Sequence, residues 1–333
     1  MSGSPQPTRL AALDMTKGVL VFFMVAYHSL NYSNQYFLGF RYLSFLPPSF
    51  ILISGFVISK IYSSRYDARD KRMHRRLVTR GVKLLLLFTA LNVAMQLLLG
   101  RNRHGQSSGV ADYFRHWPEV YLTGSGRYAA FSVLLPIAYL LMFAPAVILV
   151  SHWRPIALPV LTALLCGLSV ALEMTGIANF NLNLFTAGIL GMLLGGMSDR
   201  FLYGLRNVFL LSALVYGFSF YLGTIYGETF AIQLIGAVAA LSAIFSFCLK
   251  IGEFGRGPSL LALMGRYSLI SYIVQIATLQ ALSLLIGRPN PLSLGSVGLF
   301  VGTSLIMILA IRSIDFMRVR SPYFAHTYKA LFA

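Results

Sequence analysis

The chain is a succession of apolar runs, most about twenty residues long, set apart by polar connections. A hydrocarbon core of roughly 30 Å needs about 20 apolar residues in helix, because every backbone polar group must be satisfied within the segment. Ten such helices are predicted, at approximately 18–38, 44–62, 81–99, 128–150, 155–176, 182–198, 206–223, 229–249, 266–287 and 295–312. The expected fold class is therefore all-α, a polytopic membrane helix bundle. The sixth run is short and carries Gly188, Gly191, Gly195 and Gly196, a small-residue face that lets helices approach closely.

The connections orient the bundle. With both termini cytoplasmic, most of the 27 basic residues fall on the inner side, and only Arg41, Arg101, Arg103, Arg115, Arg127 and Arg288 remain outside. Residues 1–8 are expected to be a disordered tail, 9–320 the transmembrane domain and 321–333 a cytoplasmic tail. The one long outer connection, 100–127, is too polar to span. Its Tyr113, Phe114, Trp117 and Tyr121 stand beside Arg115 and His116, and they suit either a functional loop or an interfacial segment anchored by aromatics.

Composition agrees with this pattern. Of 333 residues, 57% are hydrophobic and 11% charged, and the mean hydropathy is +0.71, outside the range of a water-soluble domain. A net charge of +17 would suggest nucleic acid in a soluble chain, but here membrane orientation accounts for it and no nucleic-acid partner is expected. Cys166 and Cys248 lie inside apolar runs as small packing residues, with no metal site implied.

A charged side chain inside a span costs about 2.5 kcal/mol or more, so a titratable residue there usually faces the bundle interior and marks a site. His28 lies in the first run, VFFMVAYHSL. Eleven residues separate it from Lys17, three helical turns plus about 20°, so both share one face, with Asp14 close to the same line. His28 is expected roughly 16 Å deeper than Lys17, near the middle of the membrane. A cation would hold an anionic substrate at the inner mouth while the imidazole acts as general base. The alternative is a packing histidine, with Lys17 an interface anchor paired with Asp14.

Between the second and third runs lies a basic cluster in which Arg72, Arg76, Arg80 and Lys83 share a helical face. Arginine forks suit phosphate, and anionic lipid suits the same charge. Other polar residues in or near spans, among them Asn92, Gln96, Gln233 and Gln275, can bond between helices. Glu173 and Glu228 fall near the outer surface, leaving no deep carboxylate of the kind a proton-coupled transporter would carry.

These residues resemble the motifs of the acyltransferase-3 family, within the wider transmembrane acyltransferase superfamily. Asp14, Lys17, Gly18 and His28 keep the spacing of its opening signature, with lysine in place of arginine. Ser54, Gly55 and Phe56 are similar to its second block, and Arg80 to Lys83 to its Arg-x-x-Arg. The stretch LMGRYSLISYIVQI resembles its Gly-x-x-Ser-x-x-x-Tyr block, with Gln275 where a histidine often follows.

The resemblance implies transfer of an acyl group, most often acetyl, from cytoplasmic acyl-CoA, the co-substrate, to a hydroxyl of an extracytoplasmic saccharide or similar acceptor. It implies no metal, lipid as the surrounding partner and a bacterial cytoplasmic membrane as the location. Lys17, Arg76, Arg80 and Lys83 would hold the CoA phosphates. His28 would be the catalytic base or acyl carrier, with Asp14 and Ser54 in the catalytic set and Ser54 bonding His28 or the oxyanion. Trp117, Tyr121 and Glu173 would meet the acceptor. Two rival readings are a small-molecule exporter and a lipid-binding scaffold.

Overall fold

The computed structural model describes residues 8–32, 42–62, 66–99, 109–124, 129–177, 179–198, 204–253, 259–287, 289–290 and 293–332. The tail at 1–7, residues 33–38 of the first predicted span and residues 100–108 and 125–127 of the outer loop lie outside the described residues. Among those described there is no strand. The helices are α1 (Thr8–Asn31), α2 (Leu46–Val57, prolonged by a π-helical turn at Ile58–Tyr62), α3 (Lys71–Leu99), α4 (Val110–Arg115), α5 (Leu134–Trp153), α6 (Ala157–Met174), α7 (Phe180–Gly195), α8 (Phe209–Tyr226), α9 (Phe230–Glu253), α10 (Ser259–Arg266), α11 (Ser268–Ile286), α12 (Leu294–Arg320) and α13 (Pro322–Phe332).

Eight of these are long and apolar enough to cross a membrane, and α2 and α7 are shorter apolar helices at the second and sixth predicted runs. The protein is thus an all-α integral membrane protein. Two helices begin some ten residues before their predicted spans. In α1 the added turns carry Ala12, Leu13, Met15 and Thr16, all buried. In α3 they carry Met73 and Leu77, fully buried at four-residue spacing while Arg72, Arg75 and Arg76 stay exposed. Hydropathy marks only the lipid-crossing part, whereas an amphipathic face continues the helix beyond it. The ninth run is α11, preceded by the separate short helix α10 with a break at Tyr267, and the segment beyond 321 forms α13.

Two compact units make up the chain. The first comprises Met1–Ser49, Ser198–Gly227 and Ile235–Lys329. Half of the spanning stretch of α1 is buried, against 17% for α8, so α1 is the centre of this unit. Its neighbours are α10, α11 and α12. Gly18 lies against Leu261, and Gly265 against Asp14, so α10 crosses α1 where backbones touch. Below the break, Tyr267 donates its hydroxyl to Asp315 at 2.7 Å and accepts from Arg318 at 3.1 Å. The Arg318 guanidinium also lies 5.2 Å from the ring of Tyr328, which ties α13 to α12.

The second unit comprises Phe50–Met197, Glu228–Leu234 and Ala330–Ala333. Its seam is the glycine face expected of the sixth run. Cβ atoms on Gly55 and Gly191 would stand 1.9 Å from the Gly188 carbonyl oxygen and 2.0 Å from that of Leu52, so α2 and α7 meet backbone to backbone. Gly81 gives the same access between α3 and Ala138 of α5. Asn92 of α3 joins the segment before α5, accepting from the Ala130 N–H at 2.7 Å and donating to the Ala130 carbonyl at 3.1 Å. The outward side chains of α6, such as Leu164 and Leu168, are exposed and apolar, as lipid-facing positions are.

Candidate active site

His28 stands on the buried face of α1, in series with Thr16, Leu20, Met24 and Tyr32 at four-residue spacing. The side chain is 9% exposed, so the ring faces the interior of its unit and not lipid. It lies in the last turn of α1, where the His28 carbonyl accepts from the Tyr32 N–H at 3.0 Å. The described helix runs from Thr8 to Asn31, so His28 lies near its described end and not at the centre expected of the predicted span. Tyr272 of α11 places its ring 6.0 Å from the imidazole, and Tyr27 places its own at 5.2 Å. At the other end of the same helix Lys17 Nζ meets Asp14 Oδ1 at 2.7 Å, with both side chains partly exposed.

The basic cluster belongs to the second unit. Asp70 opens α3 by accepting the Arg72 N–H at 2.7 Å. Arg76 and Arg80, one turn apart, reach back to Tyr66 and Tyr62, also four residues apart. Arg76 Nη1 donates to the Tyr66 hydroxyl at 3.1 Å, and Arg80 Nη1 donates to that of Tyr62. The two phenol rings lie 6.1 Å apart and 25° from parallel. Lys83 is half-buried further along α3.

A cavity of about 600 Å³ opens beside Tyr66 and Asp67, with Met192 and Met197 of the α7 end and His152 of α5 in its wall. The Ser151 hydroxyl, also in the wall, is buried without a hydrogen-bond partner among the described residues. Tyr62, Tyr66, Ser151 and His152 were not among the residues expected from sequence. The matched four-residue spacings of 62 to 66 and 76 to 80 were the available signal for the two tyrosines.

Ser54 donates its hydroxyl to the Phe50 carbonyl at 2.7 Å within α2. To serve as a donor to an oxyanion it would have to rotate away from that bond. Its neighbour Gly55 is a packing residue of the α2–α7 seam.

In the segment 109–124, Tyr121 is held from four directions. Its hydroxyl bonds Thr89 at 2.7 Å and Tyr113 at 2.8 Å, and its carbonyl accepts from Tyr139 at 2.7 Å and Asn181 at 3.0 Å. Burial, and then the Tyr121 hydroxyl, push the Tyr113 phenol well above its ordinary value. The turn closes at Gly124, whose φ of +77° and contact with Asn181 leave no room for a Cβ. Trp117 is 54% exposed and free to meet lipid or substrate. Glu173 accepts the Phe230 N–H through both carboxylate oxygens, at 2.9 and 3.1 Å, capping the start of α9.

No curated protein and no solved structure matches the chain. The family model described as an acyltransferase domain matches residues 10–312, from the first turn of α1 into α12 and across both units. A match of that extent, over the helix that carries the buried histidine and the helix that carries the arginine pair, settles the family: the chain belongs to acyltransferase family 3, whose members move acyl groups to hydroxyl acceptors at the membrane.

Proposed function

We propose that this protein moves an acyl group, acetyl in the first instance, from cytoplasmic acyl-CoA to a hydroxyl of an extracytoplasmic glycan in a bacterial cytoplasmic membrane. The observation that carries the reading is His28, an imidazole on the buried face of a membrane helix that otherwise presents mostly apolar residues to its unit. As the acceptor oxygen bonds to the acyl carbon, His28 takes the hydroxyl proton. The carbon–sulfur bond breaks, and the imidazolium returns the proton to the departing sulfur.

Arg76 and Arg80 bind the donor's phosphates through guanidinium forks, with Lys83 on the same helix adding charge, and Lys17, steadied by Asp14, is the cation its own unit offers the donor. The tyrosine-edged cavity of about 600 Å³ supports this assignment, since a flat ring has Tyr66 to lie against and a polar group has the Ser151 hydroxyl to meet. At the outer side Trp117 offers an open ring face to a sugar, while Tyr121 and Glu173 act by shaping that end. Ser54 assists the oxyanion once it turns from Phe50.

Purified protein incubated with radiolabelled acetyl-CoA and a panel of glycans tests donor, reaction and base together. Transfer is expected in the wild type and absent in a folded His28→Ala protein. Undiminished turnover by His28→Ala would remove the base.

A further inference from the structure

Most hydroxyls inside the first unit close on their own helix. Thr16 bonds Ala12 at 2.8 Å, Ser271 bonds Tyr267 at 3.0 Å and Ser304 bonds Phe300 at 2.8 Å. Two buried side chains of α11 and α12 do not follow suit. Gln275 of α11 is 0% exposed, and neither its Oε1 nor its Nε2 meets a partner among the described residues. Thr303 of α12 is equally buried, and its Oγ1 meets none among them. An orphaned amide in an apolar interior is a standing free-energy cost, and one that persists marks a place where a ligand completes the bonding.

Helical spacing puts these groups, like the histidine, one turn from a cluster that α1, α11 and α12 share. Tyr32, Leu279 and Leu299, from α1, α11 and α12, form one buried cluster. One turn back from Tyr32 along α1 is His28, and one turn back from Leu279 along α11 is Gln275. The α12 helix returns antiparallel after a short connection, so one turn forward from Leu299 is Thr303. Tyr272, three residues before Gln275, lays its ring toward His28. Further out along α11, the Gln280 Oε1 is buried without a partner as well.

We infer that Gln275 and Thr303 form the subsite that binds the hydroxyl-bearing acceptor beside His28. The inference rests on the acyl-transfer reading above and adds the recognition of its second substrate. A neutral amide offers a donor and an acceptor side by side, and Thr303 adds a hydroxyl that can do either. That set matches adjacent hydroxyls of a polyol or sugar, which donate and accept in the same way. It contains no cation, so it does not match the donor's phosphates.

The experiment is Gln275→Leu, with Thr303→Val as a second variant, in detergent-purified protein. Acceptor KM is expected to rise about tenfold or more, as loss of a buried hydrogen bond to substrate predicts, while acyl-CoA KM stays unchanged. The melting temperature of the substrate-free protein is expected to hold or rise, because Leu removes an unmet amide. An unchanged acceptor KM, a shift in acyl-CoA KM in its place, or a fall in melting temperature would each overturn the assignment. A wild-type protein that transfers no acyl group would sink the transfer reading instead, and the melting temperature would still report whether the amide is unmet.

Discussion

Gly265 of α10 lies so close to Asp14 of α1 that a Cβ built on it would stand 1.7 Å from the Asp14 carbonyl oxygen. The reciprocal contact is as tight, with a Cβ on Gly18 falling 1.9 Å from the Leu261 carbonyl oxygen. Backbone oxygens cannot swing aside as a side chain can. Each glycine therefore sets the distance between α10 and the helix that carries His28, and the lysine–glycine pair at 17 and 18 combines a cation with a packing contact.

Gly265→Ala is accordingly expected to destabilise the protein by about 3 kcal/mol, at the upper end of overpacking costs. Gly18→Ala should behave alike. Gly167→Ala, at a position with nothing within 4 Å, is the matched control and should be neutral. Thermal unfolding in detergent checks all three, and a Gly265→Ala protein as stable as Gly167→Ala would refute the close crossing.

Much of this arrangement was legible in the residues, and what was not has a physical cause. The buried face through His28 follows from helical spacing, and the close seam of α7 from its glycines. The helix before Tyr267 was missed by hydropathy, because α10 is only eight residues long and ends on Arg266, where the predicted run begins. Glu173 suggested an outer-surface carboxylate, but its engagement by the Phe230 N–H depends on two segments 57 positions apart meeting in space. The same holds for Gln275. A glutamine in a span is plain in the sequence, but whether its amide is satisfied is a property of packing.

The pairing of Arg80 with Tyr62, and of Arg76 with Tyr66, has a kinetic consequence. Both guanidinium groups are held at one end by a phenol, which fixes the fork. Arg80→Lys keeps the charge but loses the planar fork, and Tyr62→Phe keeps Arg80 but releases it. Both are expected to raise acyl-CoA KM, Arg80→Lys by about tenfold, in line with loss of a charge-assisted bond. Acceptor KM should not move in either variant. Steady-state kinetics with each substrate varied in turn makes the measurement, and an effect confined to the acceptor would detach the arginines from the donor.

The outer aromatics separate by the same kind of reasoning. The Tyr121 hydroxyl is spent on Thr89 and Tyr113, so Tyr121→Phe removes the central hydroxyl of a partly buried site, although Thr89 keeps its bond to the Leu85 carbonyl. Loss of that knot is expected to cost about 1–3 kcal/mol of stability. Trp117 is 54% exposed, and Trp117→Ala should leave stability within about 0.5 kcal/mol of wild type, as surface substitutions do. If the Trp117 ring stacks on a sugar, the same change lowers kcat/KM for the glycan several-fold and leaves acyl-CoA KM alone. Parallel melting curves and glycan-dependent kinetics of the two variants make the comparison. Should Trp117→Ala match wild type in glycan use while weakening retention in lipid bilayers, the ring is an interfacial anchor and the acceptor must be met elsewhere on this face.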